Sequence, residues 1–160
     1  MKNRSFLIIA FLLAAVDQMI KSAIRLTPPG SSVCRIDGIL EIRHSTNTGA
    51  AFSLLSERTL LITLLSAALL VAVYLIAAKT MRLTAPAKAA FACLIGGGVG
   101  NLIDRLLFSA VTDYIRLLFF RFPVFNLADI LITCSIAFLM ILVMTGKHEV
   151  PTGEDHGSNH

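Results

Sequence analysis

Four aspartates, Asp17, Asp104, Asp113 and Asp129, stand in or beside apolar stretches of this chain. A carboxylate in or beside hydrocarbon is costly, and acids kept in such places mark functional sites by default. Asp113 lies in the mostly apolar run Val111-Thr112-Asp113-Tyr114-Ile115, sixteen residues before Asp129. Burial and a neighbouring carboxylate each raise the pKa of an aspartate. Two carboxyl groups close together can share one proton, so that one deprotonates a water while the other protonates or hydrogen-bonds a carbonyl oxygen. That is peptide-bond hydrolysis without a metal or a covalent intermediate. Spacing alone does not show that Asp113 and Asp129 meet.

Each polar group also has a purely structural explanation. Asp17 and Lys21 are four residues apart and share a helix face, where they can neutralise one another. Asn101, Asp104 and Arg105 share another face, on which Asp104 or Asn101 can orient the guanidinium and Arg105 can also reach lipid head groups. Asn126 followed by Asp129 reads as a helix N-cap with an acid at the third helical position. Gly96 and Gly100 have the GxxxG spacing of close helix packing. Cys34, Cys93 and Cys134 have no metal-ligand or CxxC spacing and read as small hydrophobes, so neither a metal nor another cofactor is expected.

The elements that must position these residues are membrane spans. Of the 160 residues, 56% are hydrophobic and 15% charged, which leaves too much apolar surface for a soluble domain to hide. Four largely apolar stretches predict spans at about 5–26, 59–78, 87–108 and 127–145. The first has Asp17-Gln18-Met19-Ile20-Lys21 where a removed signal peptide would need small residues, so it reads as a retained helix. Residues 1–146 are expected to form one four-helix transmembrane domain, and the polar stretch 147–160 a disordered cytoplasmic tail.

Lys2 and Arg4, then Lys79, Arg82 and Lys88, mark cytoplasmic ends with no acid beside them. Both termini are then cytoplasmic, and Asp17, Asn101, Asp104, Arg105 and Asp129 converge on the outer leaflet. The outward loop after Pro28-Pro29-Gly30 has a weak strand pattern in Val33, Ile36, Ile39, Leu40 and Ile42. The expected fold class is an all-α polytopic membrane protein, with four transmembrane helices and a small extracytoplasmic β-containing cap. Phe119, Phe120 and Phe122 suit closure over the site, core packing or lipid contact equally well. The net charge of +4 is dispersed and serves topology, so no nucleic-acid partner is expected. A small proton-coupled transporter is the main rival, but no acid lies in the inner half of any predicted span. A noncatalytic assembly or lipid-binding protein would leave the Asp113 and Asp129 pair unexplained.

Four blocks complete the sequence reading: Asn47-Thr48-Gly49-Ala50-Ala51-Phe52-Ser53, Gly97 to Arg105, Val111 to Tyr114, and Phe125-Asn126-Leu127-Ala128-Asp129. In that order, with Asp17 and Lys21 in the first span, the chain resembles bacterial lipoprotein signal peptidase, the signal peptidase II family. The resemblance covers nearly everything outside the tail. It implies an aspartyl endopeptidase of the bacterial inner membrane that removes the signal peptide from a diacylglyceryl-modified prolipoprotein, just before the lipidated cysteine. By the same resemblance Asp113 and Asp129 are the catalytic pair. Asn47, Gly49, Asn101, Arg105, Asn126 and Ala128 bind substrate or shape the site, and Asp17, Lys21 and Asp104 support it. Membrane lipid and the lipidated precursor are the implied partners, and cyclic peptide antibiotics that mimic the substrate the implied inhibitors. Two departures are Gly98, where the family often has alanine, and a slightly short Asp113 to Asp129 interval, which leaves Arg116 to Phe122 unassigned.

Overall fold

The computed structural model describes residues 5–48, 59–79 and 83–147. Among them are α1 (Ser5–Arg25), β1 (Ser32–Ile36), β2 (Leu40–Asn47), α2 (Thr59–Lys79), α3 (Ala85–Phe108), β3 (Val111–Leu117) and α4 (Leu127–Met144). All four helices are long and apolar enough to cross a membrane. Their outward faces carry large exposed apolar side chains such as Phe11, Leu60, Leu69 and Met140. A belt of that kind suits hydrocarbon and would be a liability in water.

The central helix is α3, which packs against α1, α2 and α4. Its glycines explain how three neighbours approach so closely. A Cβ at Gly96 would lie 2.8 Å from the Ala10 carbonyl oxygen, and one at Gly97 would lie 2.6 Å from the Ala128 carbonyl oxygen. At Gly100 it would run into the Asp17 carboxylate. Gly96 and Gly100 therefore seat α1, as the GxxxG spacing predicts, while Gly97 seats α4. Pro86 stands at the start of α3, where its missing N–H is harmless. Ser109 ends the helix in the left-handed region at φ 55, which turns the chain directly into β3.

The sheet is antiparallel in the order β1-β2-β3. Its first two strands come from the segment after Pro28-Pro29-Gly30, in which the sequence hinted at strands. The third strand carries Asp113 and was not expected from the sequence, where Val111 to Ile115 read only as a mostly apolar run. Val111, Thr112, Tyr114 and Ile115 are β-branched or aromatic and pair with β2 in a register that sets Ser45 opposite Asp113 and Asn47 opposite Val111. After β3 the chain returns, and Phe125 bridges to Ile115 just before α4 begins. Lys147 closes the turn after α4, its carbonyl accepting from Thr84 Oγ1 at 3.0 Å. The rest of the expected tail lies outside the described residues, as does Gly49.

Candidate active site

Asp113 and Asp129 come from different elements and are joined through one side chain. Asn126 is the N-cap of α4, and its Oδ1 accepts the Asp129 N–H at 2.9 Å. That bond orients the amide, so Nδ2 faces away from the helix and donates to Asp113 Oδ1 at 2.6 Å. The backbone N–H of Asn126 donates in turn to Asp129 Oδ2 at 3.2 Å, completing a capping box. The cap that the sequence offered as an alternative to a site is thus present, and the same residue also reaches the second carboxylate.

Two further asparagines complete the arrangement. Asn47, at the end of β2, donates from Nδ2 to Asp113 Oδ2 at 2.9 Å. Asn101 donates from Nδ2 to Asp129 Oδ1 at 2.7 Å, while its Oδ1 accepts from Asn126 at 3.2 Å and from Lys21 Nζ at 2.7 Å. Asp113 is only 2% exposed. Burial pushes its pKa up from 3.8 to about 6. The Asn47 hydrogen bond opposes that rise, the Asp129 charge adds to it, and the Asn126 bond opposes it again. The neighbouring Tyr114, also buried, is pushed up to about 12 by desolvation, and its hydroxyl accepts the Leu127 N–H at 3.1 Å.

Beneath the pair lies a buried ionic network between α1 and α3. Lys21 Nζ is 2.8 Å from Asp17 and 3.6 Å from Asp104, and all three side chains are fully buried. Asp17 Oδ1 accepts the Ala128 N–H at 3.1 Å, which fixes the first turn of α4. Asp104 accepts the Thr112 N–H at 2.8 Å and Gln18 Nε2 at 2.9 Å. Arg25 Nη1 bridges Asp104 at 3.1 Å and Thr112 Oγ1 at 3.0 Å, with its guanidinium over the Phe108 ring. Asp104 therefore faces α1 and β3 and does not orient Arg105, as the shared helix face had allowed. Arg105 instead donates to the Asn101 carbonyl at 3.3 Å.

Gln18, Arg25, Thr112 and Tyr114 were missed from sequence. The first two repeat with Lys21 at helical spacing, a signal that was readable. Thr112 and Tyr114 carry no motif beyond flanking Asp113.

A cavity of about 430 Å³ opens between α2, α3 and α4. Asn101, Arg105 and Asp129 form its polar end, and Leu69, Leu70, Val73, Leu94, Ile132 and Ile136 line most of the rest. Such a space accepts an apolar chain and presents part of it to a carboxylate. The groove lined by Phe119, Phe120 and Phe122 contains neither aspartate.

The family model described as Signal peptidase (SPase) II matches residues 9–145. A protein of Thermosynechococcus vestitus named lipoprotein signal peptidase is 36% identical over 143 residues, covering 87% of this chain and 90% of that protein. One of the same name from Moorella thermoacetica is 36% identical over 153 residues, covering 93% and 95%. Two solved bacterial membrane enzymes share the architecture. One has a TM-score of 0.81 at 25% identity, covering 98% of this chain and 94% of that one. The other has a TM-score of 0.79 at 28% identity, covering 88% and 92%.

Proposed function

The chain belongs to the signal peptidase II family, and we propose that Asp113 and Asp129 are the carboxylates with which it hydrolyses prolipoproteins. It is a membrane peptidase that cleaves the signal peptide from diacylglyceryl-modified precursors, N-terminal to the lipidated cysteine. The observation that carries the catalytic assignment is Asn126, a single side chain hydrogen-bonded at 2.6 Å to Asp113 and at 2.9 Å to the Asp129 backbone, whose own N–H reaches the Asp129 carboxylate.

The pair works with one proton between its two members. Burial, which raises Asp113 from 3.8 to about 6, makes it the member favoured to carry that proton when the pair is singly protonated. Asp129 takes a proton from the attacking water as its oxygen bonds to the scissile carbonyl carbon, and Asp113 gives its proton to the carbonyl oxygen. The tetrahedral diol then collapses. One hydroxyl proton returns to Asp113, the proton on Asp129 passes to the leaving nitrogen, and the C–N bond breaks. Asn101, Asn126 and Asn47 hold the carboxylates, while Arg105 offers a fixed cation on the cavity wall. Gly49, outside the described residues, keeps a substrate-shaping role on resemblance alone. Asp17, Lys21 and Asp104 support the site through the bonds to Ala128, Asn101 and Thr112.

The basic residues Lys2, Arg4, Lys79, Arg82 and Lys88 support an orientation in the bacterial inner membrane with both termini cytoplasmic. The sheet and the carboxylates then lie at the extracytoplasmic face, where a lipidated cysteine anchored in the outer leaflet arrives. The apolar cavity would hold the signal segment, and a cyclic peptide copying that segment would compete for it. The relatives lend the transporter alternative no support.

The test is cleavage of a diacylglyceryl-modified prolipoprotein, beside its unlipidated form, by detergent-purified wild type, Asp113→Asn and Asp129→Asn. Wild type is expected to cleave the lipidated form only, and both variants to be folded and inactive. Normal turnover by either variant would remove that residue from the pair.

A further inference from the structure

We infer that Gly98 and Leu70 together form the wall that sets which side-chain size is accepted just upstream of the scissile bond; the inference rests on the peptidase reading of the cavity. Along α3, Leu94, Gly98, Asn101 and Arg105 all line the cavity. Asn101 marks the level of Asp129, to which it is bonded at 2.7 Å. Gly98 lies three residues nearer the middle of the bundle, about 4.5 Å along the helix axis. One extended substrate residue covers about 3.3–3.6 Å. The signal-peptide side of the substrate runs into the membrane, so its first or second residue before the scissile bond stands level with Gly98.

At that level the wall of α3 is missing and a side chain of α2 fills the gap. A Cβ at Gly98 would lie 2.5 Å from Leu70 Cδ2 and 3.2 Å from its Cγ. Carbon atoms in contact prefer about 3.5–4.0 Å, so even one added methyl must move the end of Leu70 by about an ångström. The atoms it meets belong to the far end of a flexible side chain, so the helices need not separate. Leu70 itself lines the cavity. With glycine at 98 its methyl groups sit back in the notch; alanine there drives them into the space the substrate needs, and shortening Leu70 enlarges that space.

The experiment uses the full-length protein in detergent and diacylglyceryl-modified precursors that differ only at the first or second residue before the lipidated cysteine, with Gly, Ala, Ser or Val at each. Wild type, Gly98→Ala and Leu70→Ala are compared by kcat/KM, with Asp113→Asn as the inactive control and thermal unfolding as the check on folding. One methylene in an apolar pocket changes kcat/KM by about tenfold or more. Gly98→Ala is expected to lower the Ala-to-Gly preference about tenfold at one position, and Leu70→Ala to raise the Val-to-Gly preference by a similar factor at the same position. If Gly98→Ala fails to fold, the Leu70→Ala ratio alone decides. Ratios within twofold of wild type overturn the wall assignment while leaving the peptidase reading intact. Wild type that cleaves no lipidated precursor overturns both.

Discussion

Asp113→Asn separates the electrostatics of the site from its catalysis, because stability and activity should move in opposite directions. In the folded protein Asp113 has its pKa raised from 3.8 to about 6, mainly by burial. Between those two values the folded state binds more protons than the unfolded chain. Stability contributed by this residue is therefore complete below pH 3.8, falls as pH rises to about 6, and stays low above it. At about 1.36 kcal/mol per pH unit, the full penalty at neutral pH is about 3 kcal/mol. Asparagine removes the charge and keeps one oxygen for Asn126, but sets an NH2 group against Asn47 Nδ2, whose half-buried amide must turn over. Weaker neutral hydrogen bonds offset part of the gain and leave about 1–2 kcal/mol. For a chain of this size that is a rise of roughly 3–6 °C in the unfolding midpoint. The assay is thermal unfolding of wild type and variant in one detergent from pH 4 to pH 8. The two curves should cross between pH 4 and 6, with the variant the less stable at pH 4 and the more stable above pH 6, where they run parallel. A gap that is absent at pH 7.5, or unchanged across that window, would refute a burial-raised Asp113.

Asn47→Ala removes a donor that favours the ionised form of Asp113, so the pair should retain its shared proton to higher pH. The descending limb of the kcat/KM profile is expected to move upward by about half to one pH unit, since water replaces part of the lost bond. A limb that stays in place or moves downward contradicts that assignment. Lys21→Met leaves Asp17 and Asp104 without their common cation in a fully buried setting, a loss of about 3–5 kcal/mol visible as a collapse in folded yield or unfolding midpoint. Adding Asp17→Asn should recover part of that loss; a double variant no better than the single one would show that Asp17 is not the group left uncompensated.

The spans were legible because burial in hydrocarbon is decided segment by segment, with every backbone hydrogen bond satisfied inside the same helix. Thr59 to Lys79 needs no distant partner to be recognised. The candidate acids were legible for a related reason, since a carboxylate in an apolar run stands out against the local cost of keeping it there. The β3 strand was not. Its seven residues mix apolar and polar groups, and their pairing partner lies about seventy positions earlier, so the pattern is completed only when β2 is beside it. The same holds for the partners of Asp104, whose place on one helix face with Arg105 left open which side of α3 it would serve. Packing of α1 against Gly96 and Gly100 decided that by bringing Lys21, Arg25 and Gln18 to it.

Composition and hydropathy by themselves determined a four-helix membrane protein with its acids gathered toward one end, because transfer free energy is a property of each segment. Only the tertiary structure decided that Asp113 and Asp129 share one asparagine, that Lys21 reaches Asp129 through Asn101, and that Leu70 packs into the notch at Gly98 on the cavity wall. Those contacts join residues up to 80 positions apart and depend on the approach of one helix to another, a distance that no local pattern specifies.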